Sequence, residues 1–368
     1  MEDSGGPLSG IRVLEIESIG PGPFTAMLLA DLGANVLRVS RPVLTPRRVN
    51  PVLERGRAGS VTVDLKTESG REQLLALVEQ ADVLIEGFRP GVMERLGLGP
   101  EACRARNPRL VFGRVTGWGN TGPLAQRAGH DINYISISGA LHSMGTAESG
   151  PIPPLNLVGD YGGGGLLLAF GIVSALLETS RSGRGQVVDA AMVDGAAVLM
   201  APLFGVKAVG GWSADRAGNM LDGSSWYYTV YPCADGWVSV GPLETEFRRI
   251  LLEKLGLGEE IDRLLHAPAT DSTARTRLAA IFAARTRAEW TAVFEGTDAC
   301  VASILSMDEA VAHPQIRDRD TLRVLEGAVH PVPTPRFSRT PNRDPRPASE
   351  TRRELLAAWG AAAEGDKV

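Results

Sequence analysis

The sequence predicts an α/β protein: a large domain built on a doubly wound, mostly parallel sheet of Rossmann-like type, and a smaller α+β domain. Two observations carry this expectation. From Ile11 to Val115, apolar runs of strand length alternate with helix-length segments, the pattern of βαβ units whose sheet is covered on both faces. After a glycine-rich stretch at 208–225 a new hairpin pattern begins, followed by short helical segments.

The elements follow in order. IRVLEI (11–16) reads as a strand, GPGP as a turn and FTAMLLADLG as a helix ended by Gly33 in the C′ position. Strands are expected at NVLRVS (35–40), SVTVDL (60–65), DVLIEG (82–87) and RLVFGRV (109–115), with a helix from about Ser69 whose Glu72 completes a capping box. Ligand loops then belong at the strands' carboxyl ends. From 131 to 208 the chain reads as helices, a Pro/Gly-rich loop (145–156), a turn at SRSGRG and a strand at QVVDAAM. YYTVYPCADGWVSVG reads as a hairpin turned at Asp-Gly. The resulting domain limits are 1–186 for the large domain, 187–225 for a linker and 226–313 for the small domain. A proline-rich return segment follows at 314–347, and a capped terminal helix at 348–368 packs back on the large domain.

Composition narrows the function. The chain has 368 residues, 43% apolar and 22% charged, enough for one large or two modest cores. A net charge of -5 argues against a nucleic-acid or anionic-membrane surface, so an anionic ligand must meet locally placed cations. The lysines are Lys66, Lys207, Lys254 and Lys367, and no Gly-Lys dipeptide exists for a Walker A loop. Cys103, Cys233 and Cys300 lack paired metal-ligand spacing and read as reduced thiols. With no secretory pattern at the start, the expected location is cytoplasmic. The apolar run Gly162–Leu177 falls short of the roughly 20 residues that span a bilayer and reads as a buried core helix. No metal site is expected: there is no H-E-x-x-H, and no G-x-S-x-G for a serine hydrolase.

Several residues could carry chemistry. GPGPFT has threonine where a dinucleotide fingerprint needs its third glycine, so it reads as a tight turn rather than an NAD site. Cations follow successive strands: Arg38 and Arg41, then Lys66, then Arg89 and Arg95. Singly each suits a solvated surface; their recurrence at equivalent points suits a polyphosphate such as coenzyme A. His130 lies between Gly129 and Asp131 at the start of an apolar helix for which Asp131 serves as N-cap, a setting that favours a neutral imidazole base. Asp160 precedes a glycine-rich helix start whose glycines would admit a thioester closely and whose free N–H groups would hold an oxyanion. Glu244, directly after the hairpin, is a third candidate.

Together these motifs resemble the class III CoA-transferase superfamily of CaiB/BaiF type, and within it the α-methylacyl-CoA racemases. The resemblance runs along nearly the whole chain. It rests on PLSGIRVLE, GPGPFTAMLLADLGANVLRVSRP, TVDLK, VLIEGFRPGVMERLGLGP, TGWGNTGP, AGHDINYISISG, PPLNLVGD, GQVVDAAMVDG and GNMLDG, in that order. It implies an acyl-CoA substrate and no cofactor. CoA contacts are implied at Arg41, at Val63, Asp64, Leu65 and Lys66, at Arg89 and Arg95, and at Gly129, Asp131, Asn133 and Tyr134. It implies His130 and Asp160 as the acid–base pair, Glu244 supporting the histidine, and an interlocked homodimer. One departure is the loop 43–57, VLTPRRVNPVLERGR, which leaves contacts to the adenosine phosphates there open.

The expected reaction is inversion at the α-carbon of a 2-methylacyl-CoA by 1,1-proton transfer through an enolate. The alternatives are CoA transfer between carboxylic acids with Asp160 as nucleophile, a non-catalytic acyl-CoA-binding protein and, more remotely, a nicotinamide-dependent dehydrogenase. The acyl chain is not encoded in any motif.

Overall fold

The computed structural model describes residues 5–42, 50–346 and 359. The expected terminal helix lies outside these residues except for Trp359. By internal contacts the chain forms two units, one comprising residues 1–138, 155–199 and 313–368, the other 139–154 and 200–312.

The first unit is built on a six-stranded sheet in the order β3-β2-β1-β4-β5-β8. Its strands are β1 (Arg12–Ile16), β2 (Asn35–Ser40), β3 (Gly59–Thr62), β4 (Val83–Glu86), β5 (Val111–Thr116) and, after the short β6 (Gly145–Thr146) and β7 (Gly150–Pro151), β8 (Val187–Ala191). Every neighbouring pair in the sheet is parallel. The sequence order reverses between β1 and β4, which opens a crevice at the carboxyl ends of those two strands. The helices are α1 (Pro21–Asp31), α2 (Glu68–Val78), α3 (Val92–Arg95), α4 (Pro100–Arg106), α5 (Asp131–Ile137), a π-helix (Leu157–Leu166) continuing into α6 (Leu167–Ser182), and α7 (Met192–Leu199). Two apolar clusters include Leu14, Leu37, Leu84 and Phe112 in one and Val13, Val36, Ile85 and Val111 in the other. Adjacent residues of each strand thus enter different clusters, as the pleat requires.

Charged residues interrupt these apolar strands, and Glu15, Arg38, Glu86 and Arg114 are paired. Glu15 on β1 is fully buried and aligned with Arg38 on β2; it accepts hydrogen bonds from Arg38 Nη2 at 3.2 Å and Arg57 Nη2 at 2.9 Å. Burial pushes the Glu15 carboxyl up, but Arg57 and Arg38 outweigh it and hold the group below its usual range. Arg55 forks onto Asp31 at 3.1 and 2.6 Å. Arg38 therefore serves the interior rather than a phosphate, and so do Arg55 and Arg57 from the unmatched loop; positions 43–49 of that loop lie outside the described residues.

Four further expectations need correction. The N-cap of α2 is Thr67, whose Oγ1 accepts from Gly70 N at 3.0 Å, so Ser69 and Glu72 form no capping box there. The linker does not start at 187, because β8 and α7 belong to the first unit. The hairpin turns on Ala234 and Asp235, with Gly236 already paired to Cys233. The π-helix and α6 form one helix of 26 residues, long and apolar enough to cross a bilayer by length and composition, and in its most apolar window only 39% is buried. Leu168 and Ile172 pack over Gly113 of β5, whereas Leu166, Phe170, Val173 and Leu177 are exposed. It is a half-exposed helix rather than a buried core helix.

The second unit adds α8 (Ala201–Ala208) and a three-stranded antiparallel sheet, β11-β10-β9, of β9 (Thr229–Cys233), β10 (Gly236–Val240) and β11 (Val301–Ser303). With α9 (Thr245–Lys254), α10 (Ile261–Leu265), α11 (Ser272–Phe282) and α12 (Arg287–Phe294), it encloses its own core around Trp226, Tyr231, Phe282 and Trp290. The chain returns to the first unit at His313, where β12 (Leu322–Leu325) pairs with β13 (Ala328–Pro331). Trp359 is buried in the same cluster as Leu14 and Leu37, and its Nε1 donates to Asn35 Oδ1 at 3.1 Å.

Candidate active site

Two cavities open at the reversal of strand order, and both are lined by Ile19 after β1 and by Gly87 and Phe88 after β4. The Phe88 loop is fixed from beneath. Phe88 N donates to Glu86 Oε2 at 2.7 Å, while the other oxygen of Glu86 accepts from Arg114 Nε at 2.9 Å. Burial keeps Glu86 above the usual carboxylate range in spite of these bonds.

The first cavity, about 460 Å³, is lined by Ser40 and Arg41 after β2, by Val63, Asp64, Leu65 and Lys66 after β3, and by Val92 and Leu96. Arg41 and Lys66 are exposed, and Arg41 N donates to Glu17 Oε2 at 3.2 Å. An apolar floor with two long cations at the mouth suits a ligand with an apolar or aromatic body and anionic groups, as in a nucleotide phosphate.

The second cavity, about 560 Å³, holds the candidate chemistry: His130, Asp160, Arg89, Arg127, Gly129 and Tyr134 line it together with Asn156, Tyr161 and Met192. His130 is the N-cap of α5, and its N–H donates to Asn133 Oδ1 at 3.0 Å. Asp131 thus sits one position further in than expected and does not cap α5. Its carboxylate turns to the π-helix, where Oδ2 accepts from Gly159 N at 2.6 Å and Asp160 N at 2.7 Å. Two of the N–H groups at this helix start, those of Gly159 and Asp160, are therefore already engaged. Asp160 itself accepts from Asn156 Nδ2 at 3.0 Å. Burial raises the Asp160 carboxyl above its usual range, opposed by the Asn156 hydrogen bond and reinforced by the charge of Asp131.

The glycines after Asp160 also act differently from expectation. Gly163, Gly164 and Gly165 are buried against protein. A Cβ on Gly163 would meet Ala196 N at 2.7 Å, and one on Gly165 would meet the Phe24 ring at 2.6 Å. They let the π-helix lie against α7 and α1, and this close packing, not ligand access, is why side chains are missing. Gly129 serves similarly: a Cβ there would strike Tyr134 and Trp118, which pack edge to face at 4.8 Å. Burial first, then the charges of Asp160 and Asp131, pushes the Tyr134 hydroxyl up to about 12.

Of the residues expected to act, Arg95, Asp131 and Asn133 line neither cavity. Glu244 is the exposed N-cap of α9 in the other unit and lines neither cavity as well. Sequence reading missed Phe88, Arg127, Asn156, Tyr161 and Met192; Asn156, four residues before Asp160 on the same segment, carried a usable spacing signal.

Comparison with known proteins decides the family. The model of CoA-transferase family III matches residues 8–351. The chain belongs to CoA-transferase family III. Within this family it is 42% identical to the α-methylacyl-CoA racemase of Mus musculus over 97% of this chain and 94% of that protein. The Homo sapiens protein of the same name is also 42% identical, with the same coverage. A CaiB/BaiF family protein from Brucella suis has a solved structure that superposes with a TM-score of 0.81 at 28% identity, covering 96% of this chain and 100% of that one. Among the described residues, no group of three or more His, Cys, Asp or Glu side chains could hold a metal ion.

Proposed function

We propose that this family III protein is an α-methylacyl-CoA racemase, which inverts the α-carbon of 2-methylacyl-CoA thioesters without a cofactor. The observation that carries the reading is that His130 and Asp160 line one cavity, with Asp160 held above the usual carboxylate range, in a chain whose near full-length relatives bear that name. Neutral His130 takes the α-proton of one enantiomer, leaving the electron pair on the thioester enolate. The carboxylic acid of Asp160 gives a proton to the opposite face, and the other enantiomer reverses the two roles. A carboxyl that keeps its proton further up the pH scale suits the donor role. In this reading CoA lies along the first cavity with its phosphates at Arg41 and Lys66, and Arg89 stands at the second cavity. The exposed apolar stripe of α6 supports a homodimer.

Incubating one enantiomer of a 2-methylacyl-CoA in deuterated water tests this. Deuterium enters the α-position with inversion, and His130→Ala and Asp160→Ala each lose at least roughly a hundredfold in rate while CoA binding holds. If exchange is absent and CoA moves to an added carboxylate instead, Asp160 is a nucleophile and the protein a transferase.

A further inference from the structure

Asp131 is 5% exposed, lines neither cavity, and its Oδ1 has no hydrogen-bond partner among the described residues. Its Oδ2 takes both the Gly159 and the Asp160 amide, 28 and 29 residues further along the chain. A buried carboxylate with one idle oxygen is costly to keep, and the same two hydrogen bonds could be made by a neutral amide oxygen. The residue before it is His130 and one of the amides it binds is that of Asp160. A single side chain therefore spans the starts of the two elements that carry the acid–base pair.

We propose that Asp131 is a positioning residue for the proton transfer: it ties the backbone of Asp160 to that of His130 and places a fixed negative charge beside the Asp160 carboxyl. This rests on the racemase reading for its kinetic consequences but not for its structural one. The tie sets geometry, because without it the first turn of the π-helix loses its acceptor and Asp160 its fixed height in the cavity. The charge sets the proton balance, because an anion nearby disfavours ionisation of Asp160. The other groups acting on Asp160 are the Asn156 amide and His130, both of which favour the ionised form, and the Tyr134 hydroxyl, which feels the Asp160 charge in turn. Asp131 opposes them.

Two substitutions separate the tie from the charge. Asp131→Asn keeps an oxygen able to accept both amides and removes the charge; Asp131→Ala removes both. For Asp131→Asn, assayed with the enantiomer whose α-proton Asp160 takes, the acid limb of the kcat against pH profile moves to lower pH, since Asp160 now ionises more readily, with KM for the acyl-CoA within about threefold. For Asp131→Ala, kcat falls by about 10- to 100-fold, the scale of a misplaced reacting group, and KM again changes little. A readout independent of turnover is amide hydrogen exchange in the peptide spanning 156–166: protection at Gly159 and Asp160 drops in Asp131→Ala and persists in Asp131→Asn. Unchanged protection in the alanine variant, or an unmoved acid limb in the asparagine variant, overturns the proposal. If Asp131→Ala does not fold, the asparagine profile decides alone. If the unaltered protein exchanges no α-proton, the racemase reading falls, and the exchange protection still decides the tie.

Discussion

Asp160 is a carboxyl that the fold prefers to keep protonated. Because its folded value lies above the ordinary 3.8, the favourable contribution is complete below that ordinary value and is lost as pH rises through the raised one. Above that raised value the ionised group burdens the fold. Asp160→Asn, which cannot ionise, is therefore inactive yet melts at a higher temperature than the parent at pH 7, and the difference narrows towards about pH 4; calorimetry over that range checks the sign. The positions of single residues were only partly legible beforehand. His130 and Asp160 lie in motifs that stand out, and the cavity positions of Arg41 and Lys66 follow from strand ends. Asp131 was misread because an aspartate at a helix start has a local explanation, capping, while its actual partners lie 28 and 29 residues away. Arg38 was misread because a strand-end arginine looks alike whether it meets a phosphate or, as here, Glu15 and Glu54.

Elements were easier to read than residues, because strands buried on both faces write themselves as apolar runs. The π-helix at Leu157–Leu166 was not readable: a glycine-rich helix start does not specify an i to i+5 ladder, and what settles it is packing. The decisive contact is between Gly163 and Gly195, where a Cβ on Gly195 would stand 1.9 Å from the Gly163 carbonyl oxygen. That atom is backbone, so no rotamer change relieves it. Gly195→Ala should push α7 from the π-helix, costing about 1–3 kcal/mol as an overpacked site does and lowering kcat through the displaced Asp160. A chemical unfolding midpoint and a rate measured on the same preparation test both. A variant with parental stability and rate would mean that the two helices separate without cost.

At the scale of the whole molecule, two self-contained cores share one chain, and the second is inserted between parts of the first. The alternation of patterns gave the sheet, but the sequence-based boundary at 187 cut off β8, since a strand beside a glycine-rich stretch looks like the edge of a linker. The exposed row Leu166, Phe170, Val173 and Leu177 is the part of this surface that asks for a partner. If that partner is a second copy, Phe170→Asp combined with Leu177→Asp converts a sedimenting dimer to monomers; an unchanged sedimentation coefficient rules out this face as the contact. The buried Trp359 has a consequence in time. Its hydrogen-bond partner Asn35 precedes it by 324 residues, which at ordinary translation speeds means roughly 15–65 s on the ribosome. During that interval the nascent sheet holds an unfilled indole berth among Leu14, Leu37 and their neighbours while the inserted unit is still being made. Truncation ahead of residue 359 should therefore lower the yield of folded protein, which expression of the shortened chain beside the parent would measure.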